Sequence, residues 1–277
     1  MREVDWEGTL LEATERVQKA VERVVANGER SKELGRGASG DVTLVADSEA
    51  EKELISALTK AAEVRVLTEE AGEAGARGAR LTAVLDPVDG SSNFSRGVPF
   101  YCTSVAIADG QELDSIRWAA VRNLVTGDVY YAERGNGATK NGRRINSSDV
   151  RELRKAIVAV DVSRAAVPLI GRLAPLIADS KREVHMGANA LELCLVAEGA
   201  TDAFVDVRGS MRIVDFAAAF LIATEAGVQV TGPEGEKLAV PLDLRSRFSY
   251  VASANSELHG KVVARLAWKG GPQALAL

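Results

Sequence analysis

The chain has 277 residues, enough for one large domain or two modest ones, and its 46% apolar and 26% charged residues are those of an ordinary globular protein. A formal charge of −5 gives no sign of a nucleic-acid footprint, which would need a basic face. No run is long and apolar enough for a membrane span, Met1-Arg2-Glu3-Val4-Asp5 is too acidic for a secretory signal, and two isolated cysteines, Cys102 and Cys194, fit buried thiols in a reducing cytoplasm.

Residues 5–27 place apolar side chains at Leu10, Ala13, Val17, Ala20, Val21, Val24 and Val25, one face of a helix, and Gly28 sits where a terminating glycine belongs. Gly35, Gly37 and Gly40 formally match a dinucleotide fingerprint, but that motif needs a strand before it and a helix after it. Here a helix precedes and the extended Val42-Thr43-Leu44-Val45 follows, so a mobile glycine loop over a site is the better reading. A second helix opens at Asp47, with a Ser48/Glu51 capping box and a face of Ala50, Leu54, Leu58 and Ala61. Val64 to Leu67 is a short strand ending at Thr68-Glu69-Glu70, and residues 71–80 read as a loop.

Leu81 to Leu85 is a buried strand. Pro87 pushes Asp86 into an extended conformation, so the strand is expected to stop where Asp86 and Asp89 begin. Gly90 permits a sharp turn, and Ser91 or Ser92 can cap a helical turn after it. Phe100 to Ala108, Ile116 to Val121 and Val129 to Ala132 read as strands, with turn signals at Asn136-Gly137 and Asn141-Gly142. A polar junction from Asn146 to Lys155 follows. Beyond it come a strand at Ala156–Val160, helices at 165–178 and Gly187–Ala197, and a strand at Ala203–Val207. A helix from Asp215 to Ala226 closed by Gly227, a strand near Tyr250-Val251-Ala252, a helix from Glu257 to Trp268 and a loose tail complete the pattern. The expected class is α/β: an α+β domain over 1–150 with a largely antiparallel sheet, and an α/β domain over 151–277.

Glu69, Glu70, Asp86, Asp89 and Asp215 all stand at element ends, where a rigid scaffold can hold carboxylates facing a cleft. With no histidine or cysteine beside them in sequence, they suit Mg²⁺ rather than zinc, and the Val88 carbonyl is a natural extra ligand. Acidic oxygens beside the free N–H groups of the Gly90-Ser91 turn suit a metal-bound phosphate. Two plainer readings stay open: a solvated acidic turn at Glu69-Glu70, and a helix N-cap at Asp215. His185 and His259 have no visible catalytic partner, and no P-loop is present.

Asp86-Pro87-Val88-Asp89-Gly90-Ser91-Ser92-Asn93-Phe94 resembles the signature of the inositol monophosphatase / fructose-1,6-bisphosphatase superfamily of Mg²⁺-dependent, lithium-sensitive phosphatases. Thr68-Glu69-Glu70 resembles its upstream acidic pair, and Val214-Asp215-Phe216-Ala217-Ala218-Ala219, running to Glu225-Ala226-Gly227, its downstream motif. Gly137 to Ile145, and Gly187-Ala188-Asn189-Ala190 with Leu193 to Ala197, spread the resemblance along the chain. Asp206 to Asp215 is most like the archaeal dual-function members.

The resemblance implies a layered αβαβα sandwich, usually a cytoplasmic homodimer, hydrolysing a small phosphate ester without nucleic-acid or membrane partners. Inositol-1-phosphate is the first substrate and fructose-1,6-bisphosphate a further one; the alternatives are a 3′(2′),5′-bisphosphate nucleotidase and a fold-retaining regulatory binder. It also implies that Glu69, Asp86 and the Val88 carbonyl hold one Mg²⁺, that Asp86, Asp89 and Asp215 hold a second, and that a third leans on Glu69. Glu69 and Ser91 would activate water. Asp89, Gly90, Ser91, Asn189, Asp206 and Arg208 would bind substrate. The chain departs from the family in places. Val214 replaces a tryptophan. A second substrate arginine falls at Val184, beside Arg182 and His185, which counts against bisphosphate recognition. Ser39 replaces a loop aspartate, so that contact with a third metal weakens or shifts to Asp41.

Overall fold

The computed structural model describes residues 4–38, 40 and 42–266. Helix α1 (Trp6–Ala26) starts at Asp5, whose carboxylate accepts from the Gly8 N–H at 2.9 Å, and buries the stripe expected of it apart from Val25, which is half-buried. The glycine-rich stretch is an antiparallel hairpin of β1 (Glu33–Arg36) and β2 (Val42–Leu44). Glu70 fastens it to the body: its carbonyl accepts from Ala38 N–H at 2.8 Å and its carboxylate takes the Thr43 hydroxyl. Helix α2 (Val45–Ala61) starts two residues before the expected Asp47, and the expected Ser48/Glu51 box does not form. Asp47 itself reaches back to the Leu44 N–H at 2.7 Å, because it occupies the third helical position. Glu51 turns away to accept from Thr68 Oγ1 at 2.7 Å and Ala71 N–H at 3.0 Å.

The first sheet contains β3 (Val64–Thr68), β4 (Gly72–Gly75) and β5 (Leu81–Asp89). After helix α3 (Ser91–Arg96) it continues through β6 (Cys102–Ala108), β7 (Ile116–Asn123), β8 (Val129–Glu133), β9 (Gly137–Lys140) and β10 (Arg143–Arg144). Its order is β10-β9-β8-β7-β6-β5-β3-β4, antiparallel except where β3 and β5 run parallel. Strand β4 lies in the stretch expected to be a loop. Its small residues have poor strand propensity, but pairing with β3 from Thr68↔Gly72 to Arg65↔Gly75 overrides it. Asn141 and Gly142, at φ +52 and +73, turn β9 tightly into β10.

The second sheet is built from β11 (Ile157–Val160), helix α4 (Val167–Asp179), β12 (Arg182–Val184), helix α5 (Asn189–Ala197), β13 (Ala203–Met211), helix α6 (Ala217–Glu225), β14 (Gln229–Thr231), β15 (Phe248–Ser253) and helix α7 (Ser256–Leu266). Its order is β12-β11-β13-β15-β14, parallel on the β12-β11-β13 side and antiparallel beyond. The expected end of the last helix at Trp268, and the tail, lie outside the described residues.

Helices α1 and α2 cover one face of the first sheet, α5 and α6 lie between the sheets, and α4 and α7 close the far side. The result is five layers, αβαβα. Helix α6 is apolar all round from Ala217 to Ala223, buried at every position, and α5 is apolar but for the buried Glu192, because the faces of both helices meet a sheet. Glu225 at the end of α6 accepts from the N–H groups of Gly135 and Gly137, both at 2.8 Å, tying the middle layer to the β8–β9 turn. No helix among the described residues is long and apolar enough to cross a membrane.

Candidate active site

Parallel pairing of β3 and β5 in the register Thr68↔Leu85 sets Glu69, just past β3, beside Asp86. Contrary to expectation, β5 does not stop at the acids but runs through Pro87 to Asp89, with its register against β6 slipping between Asp86↔Ser104 and Asp89↔Cys102. Residues three apart on a plain strand face opposite sides. The extra residue of this bulge turns both carboxylates into the same cleft, and proline is tolerated there because a bulge position needs no ladder N–H.

Gly90, at φ +89, then caps α3; neither serine does. A Cβ on Gly90 would stand 3.1 Å from Ala188 Cβ and 3.2 Å from the Phe100 carbonyl, so the turn is packed as well as left-handed. Ser91 Oγ donates instead to the Val88 carbonyl at 2.8 Å and lies 3.3 Å from Asp47 Oδ1. Asp215 precedes α6 without capping it, since its side chain turns to Arg212.

These elements enclose a cleft of ≈ 590 Å³. Within it, one carboxylate oxygen each from Glu69, Asp86 and Asp215 lie within 4.8 Å of one another. Asp89 stands at the same wall, its Oδ2 accepting from the Ala190 N–H at 2.7 Å. Burial raises the carboxyl of Glu69 to about 7 and that of Asp89 to about 8, in each case with Asp215 adding to the rise. Asp86, buried with acids around it, is pushed well above the usual carboxylate range. Its Oδ1 is buried without a hydrogen-bond partner among the described residues.

An unpartnered buried oxygen amid crowded acids is a donor set short of positive charge, and it fits a hard divalent cation. A cysteine does stand beside this set, contrary to the sequence expectation: the Cys102 thiol points at Asp89 Oδ2 from 3.6 Å. Burial pushes the thiol pKa up, so it is a protonated donor and not a soft thiolate ligand, and the donor set stays oxygen.

Val88, Gly90, Ser91 and Asn189 also line the cleft, and Asn189 Oδ1 is buried without a hydrogen-bond partner among the described residues. Asp206 and Arg208 do not line it. Two apart on β13, they share a face and bind each other, with Arg208 Nε and Nη2 meeting Asp206 Oδ1 and Oδ2 at 2.9 and 2.7 Å. Arg208 also meets Asp161 at 2.5 Å. Ser39 and Asp41 lie outside the described residues. Sequence reasoning missed Asp47, Arg212 and Arg164, the last two lining the cleft. Asp47 read only as a helix start, and the one available signal for Arg212 was its place three residues before Asp215.

A five-layered sandwich whose buried acids from β3, β5 and the start of α6 converge on one cleft, next to a glycine–serine turn, is the framework of a metal-dependent phosphomonoesterase. The chain belongs to the inositol monophosphatase family, whose model matches residues 6–269. It is 34% identical over 274 residues to the fructose-1,6-bisphosphatase/inositol-1-monophosphatase of Methanothermobacter thermautotrophicus, covering 94% of this chain and 96% of that one. It is 39% identical over 238 residues to the protein of the same name from Archaeoglobus fulgidus, covering 85% and 88%. Among solved structures, the extragenic suppressor protein suhB from Bartonella henselae superposes with a TM-score of 0.83 at 27% identity, covering 95% of this chain and 99% of that one. The expected family, fold and phosphatase class are thereby borne out.

Proposed function

We propose that this phosphatase hydrolyses inositol-1-phosphate with Mg²⁺, and accepts fructose-1,6-bisphosphate as a further substrate. The observation that carries the reading is the convergence of Glu69, Asp86 and Asp215 oxygens within 4.8 Å, with Asp89 and the Gly90-Ser91 turn in the same cleft. The archaeal relatives named for both activities support the substrate pair.

Glu69, Asp86 and the Val88 carbonyl would hold one Mg²⁺, Asp86, Asp89 and Asp215 a second, and a third would lean on Glu69. Bound there, the cations would lower the pKa of water and neutralise charge on the phosphoryl and leaving oxygens. The chain's own groups do the rest. The Ser91 hydroxyl, held between Val88 O and Asp47 Oδ1, passes a proton from the attacking water towards Asp47. Burial raises the Asp47 carboxyl to about 7, which makes it a base matched to neutral pH, and Glu69 beside it assists. The N–H groups of Gly90 and Ser91 take phosphate oxygens, and Asp89 and Asn189 meet the sugar side. A role for Asp206 and Arg208 in holding the polyol requires their ion pair to open.

In this reading the reaction centre forms where the halves 1–150 and 151–277 meet, the second supplying Asp215. The family resemblance supports lithium sensitivity and a homodimer. The buried thiols Cys102 and Cys194 support a cytoplasmic setting. The test is phosphate release from inositol-1-phosphate, fructose-1,6-bisphosphate and adenosine 3′,5′-bisphosphate under Mg²⁺, with a lithium titration. Turnover confined to the adenosine bisphosphate, or full activity in Asp86→Asn, would overturn the reading.

A further inference from the structure

Arg212 reaches into the acid cage from the connection between β13 and α6. Its Nε and Nη2 meet Asp215 Oδ2 and Oδ1 at 2.9 and 3.0 Å, and its Nη1 meets Glu69 Oε1 at 2.6 Å. Two of the three carboxylates that converge within 4.8 Å are thus engaged by a cation of the protein itself, while the third, Asp86, keeps a buried Oδ1 without a hydrogen-bond partner among the described residues. Burial alone would weaken the charge on Arg212, but Asp215 and Glu69 hold it firmly protonated. Planar, bidentate guanidinium–carboxylate pairs are strong and directional. They occupy lone pairs of Asp215 and Glu69 that a hard cation would otherwise draw on, and the guanidinium charge repels a divalent ion placed beside it.

The side chain is not locked in a core. It is 23% exposed and borders both the main cleft and a side pocket of ≈ 100 Å³, shared with Thr68, Val214 and Leu244. It therefore has space to leave its present partners.

We infer that Arg212 is a built-in counter-ion that competes with the metal for Glu69 and Asp215, so that loading the site requires the guanidinium to release at least one of them. The inference rests on the metal-site reading above. In the metal-depleted enzyme Arg212 would then screen acids that are packed together and buried. It also sets metal affinity below what the carboxylates alone would give, which keeps exchange reversible. The contrary possibility, that Arg212 merely orients the two ligands for the metal, predicts an effect of opposite sign.

The experiment is calorimetric titration of the chelator-treated full chain with MgCl₂ alone, for the native protein, Arg212→Gln and Arg212→Lys, together with thermal melts in chelator and in Mg²⁺. Competition predicts that Arg212→Gln binds Mg²⁺ more tightly by about tenfold or more, the scale of one charge-assisted contact. Its chelated form melts below the native protein, and its rise in Tm on adding Mg²⁺ is larger. Arg212→Lys, which keeps the charge but not the fork, falls between. In the native protein, the Arg212 Nε–H resonance shifts as Mg²⁺ is added. Equal or weaker Mg²⁺ binding by Arg212→Gln overturns the inference and makes Arg212 an orienting residue; should that variant not fold in chelator, Arg212→Lys decides by the same sign. No Mg²⁺ binding by the native chain would overturn the metal reading itself, a result distinguishable from either.

Discussion

Asp89 and Ala190 tie the two halves of the chain together through a buried bond: the Ala190 N–H, in the first turn of α5, donates to Asp89 Oδ2 at 2.7 Å. That bond decides what Asp89→Asn should do, because an amide oxygen accepts it as well as a carboxylate does. Burial raises the Asp89 carboxyl to about 8. A carboxyl whose folded pKa lies above its unfolded one stabilises the fold below the unfolded value, and that contribution is lost as pH rises through about 8. In chelator, then, Asp89→Asn melts at or above the native protein at about pH 8, and the difference shrinks towards about pH 5. With Mg²⁺ present its turnover falls by about 10²- to 10³-fold or more, the scale of removing one preorganised charged group. Melts at the two pH values and a phosphate-release assay check both halves; a lower melt at the higher pH would contradict the burial argument.

Asp47 and Ser91 offer a cleaner kinetic test, since neither belongs to the converging set of Glu69, Asp86 and Asp215. Ser91→Ala and Asp47→Asn should each lower kcat by about 10²- to 10⁴-fold, the range for a lost general base, while Mg²⁺ affinity measured by calorimetry changes little. Ser91→Thr keeps the hydroxyl and should retain most of the rate. The native profile should rise with pH at or below about 7, because cations bound nearby pull the Asp47 carboxyl down from its raised value. That limb should vanish in Asp47→Asn. A double variant no slower than either single one would show that the two act as a unit.

Gly90 carries a backbone requirement and a packing requirement at once. Gly90→Ala would strain a residue at φ +89 and crowd Ala188 Cβ and the Phe100 and Gly187 carbonyls, all within 3.3 Å. The left-handed conformation alone costs about 1–2 kcal/mol for a residue with a Cβ, and the crowding adds to it. Denaturant titration should show the loss. The KM for the phosphate ester should rise with it, since the Gly90-Ser91 amides would no longer point as they do.

The signature from Asp86 to Phe94 was legible in the sequence because its chemistry is local: two acids, a proline and a glycine turn within a few residues. What the spacing hid was the bulge. Without it, Asp86 and Asp89 would face opposite sides of the strand, and only the slip against Ser104 and Cys102 reveals why they do not. Asp47 was invisible as a partner of Ser91, since the two are 44 residues apart and meet only through packing. Arg212 meets Glu69 across 143 residues for the same reason. Strands β12 and β14, three residues each, are too short to show a period. The Asp206–Arg208 pair, by contrast, was open to a period-two reading of β13, which puts both on one face.

His185 should give the protein a pH dependence of the opposite origin to that of Asp89. Its ring faces Glu192 on α5 at 3.3 Å, Asp161 beyond β11 at 3.5 Å and Ser163 Oγ at 3.0 Å, with Arg208 of β13 nearby. The hydrogen bond to Glu192 raises its pKa, against burial and the Arg208 charge, which lower it. A histidine with a raised folded pKa contributes stability that is full below the ordinary value of about 6.5 and is lost as pH rises through the raised one. The same Glu192 Oε1 accepts from the N–H groups of Met186 and Gly187 at 3.1 and 2.8 Å, and Gly187 lines the cleft. Deprotonating His185 should therefore weaken the Glu192 contact that holds the Met186–Gly187 segment of the cleft wall, as well as the fold. His185→Gln should melt lower than the native protein at about pH 6 and close to it at about pH 8, flattening the profile between. In the native enzyme KM should rise over the same interval, and in His185→Gln it should not. A variant whose deficit in Tm is the same at both pH values would show that the imidazole contributes by packing and not by charge.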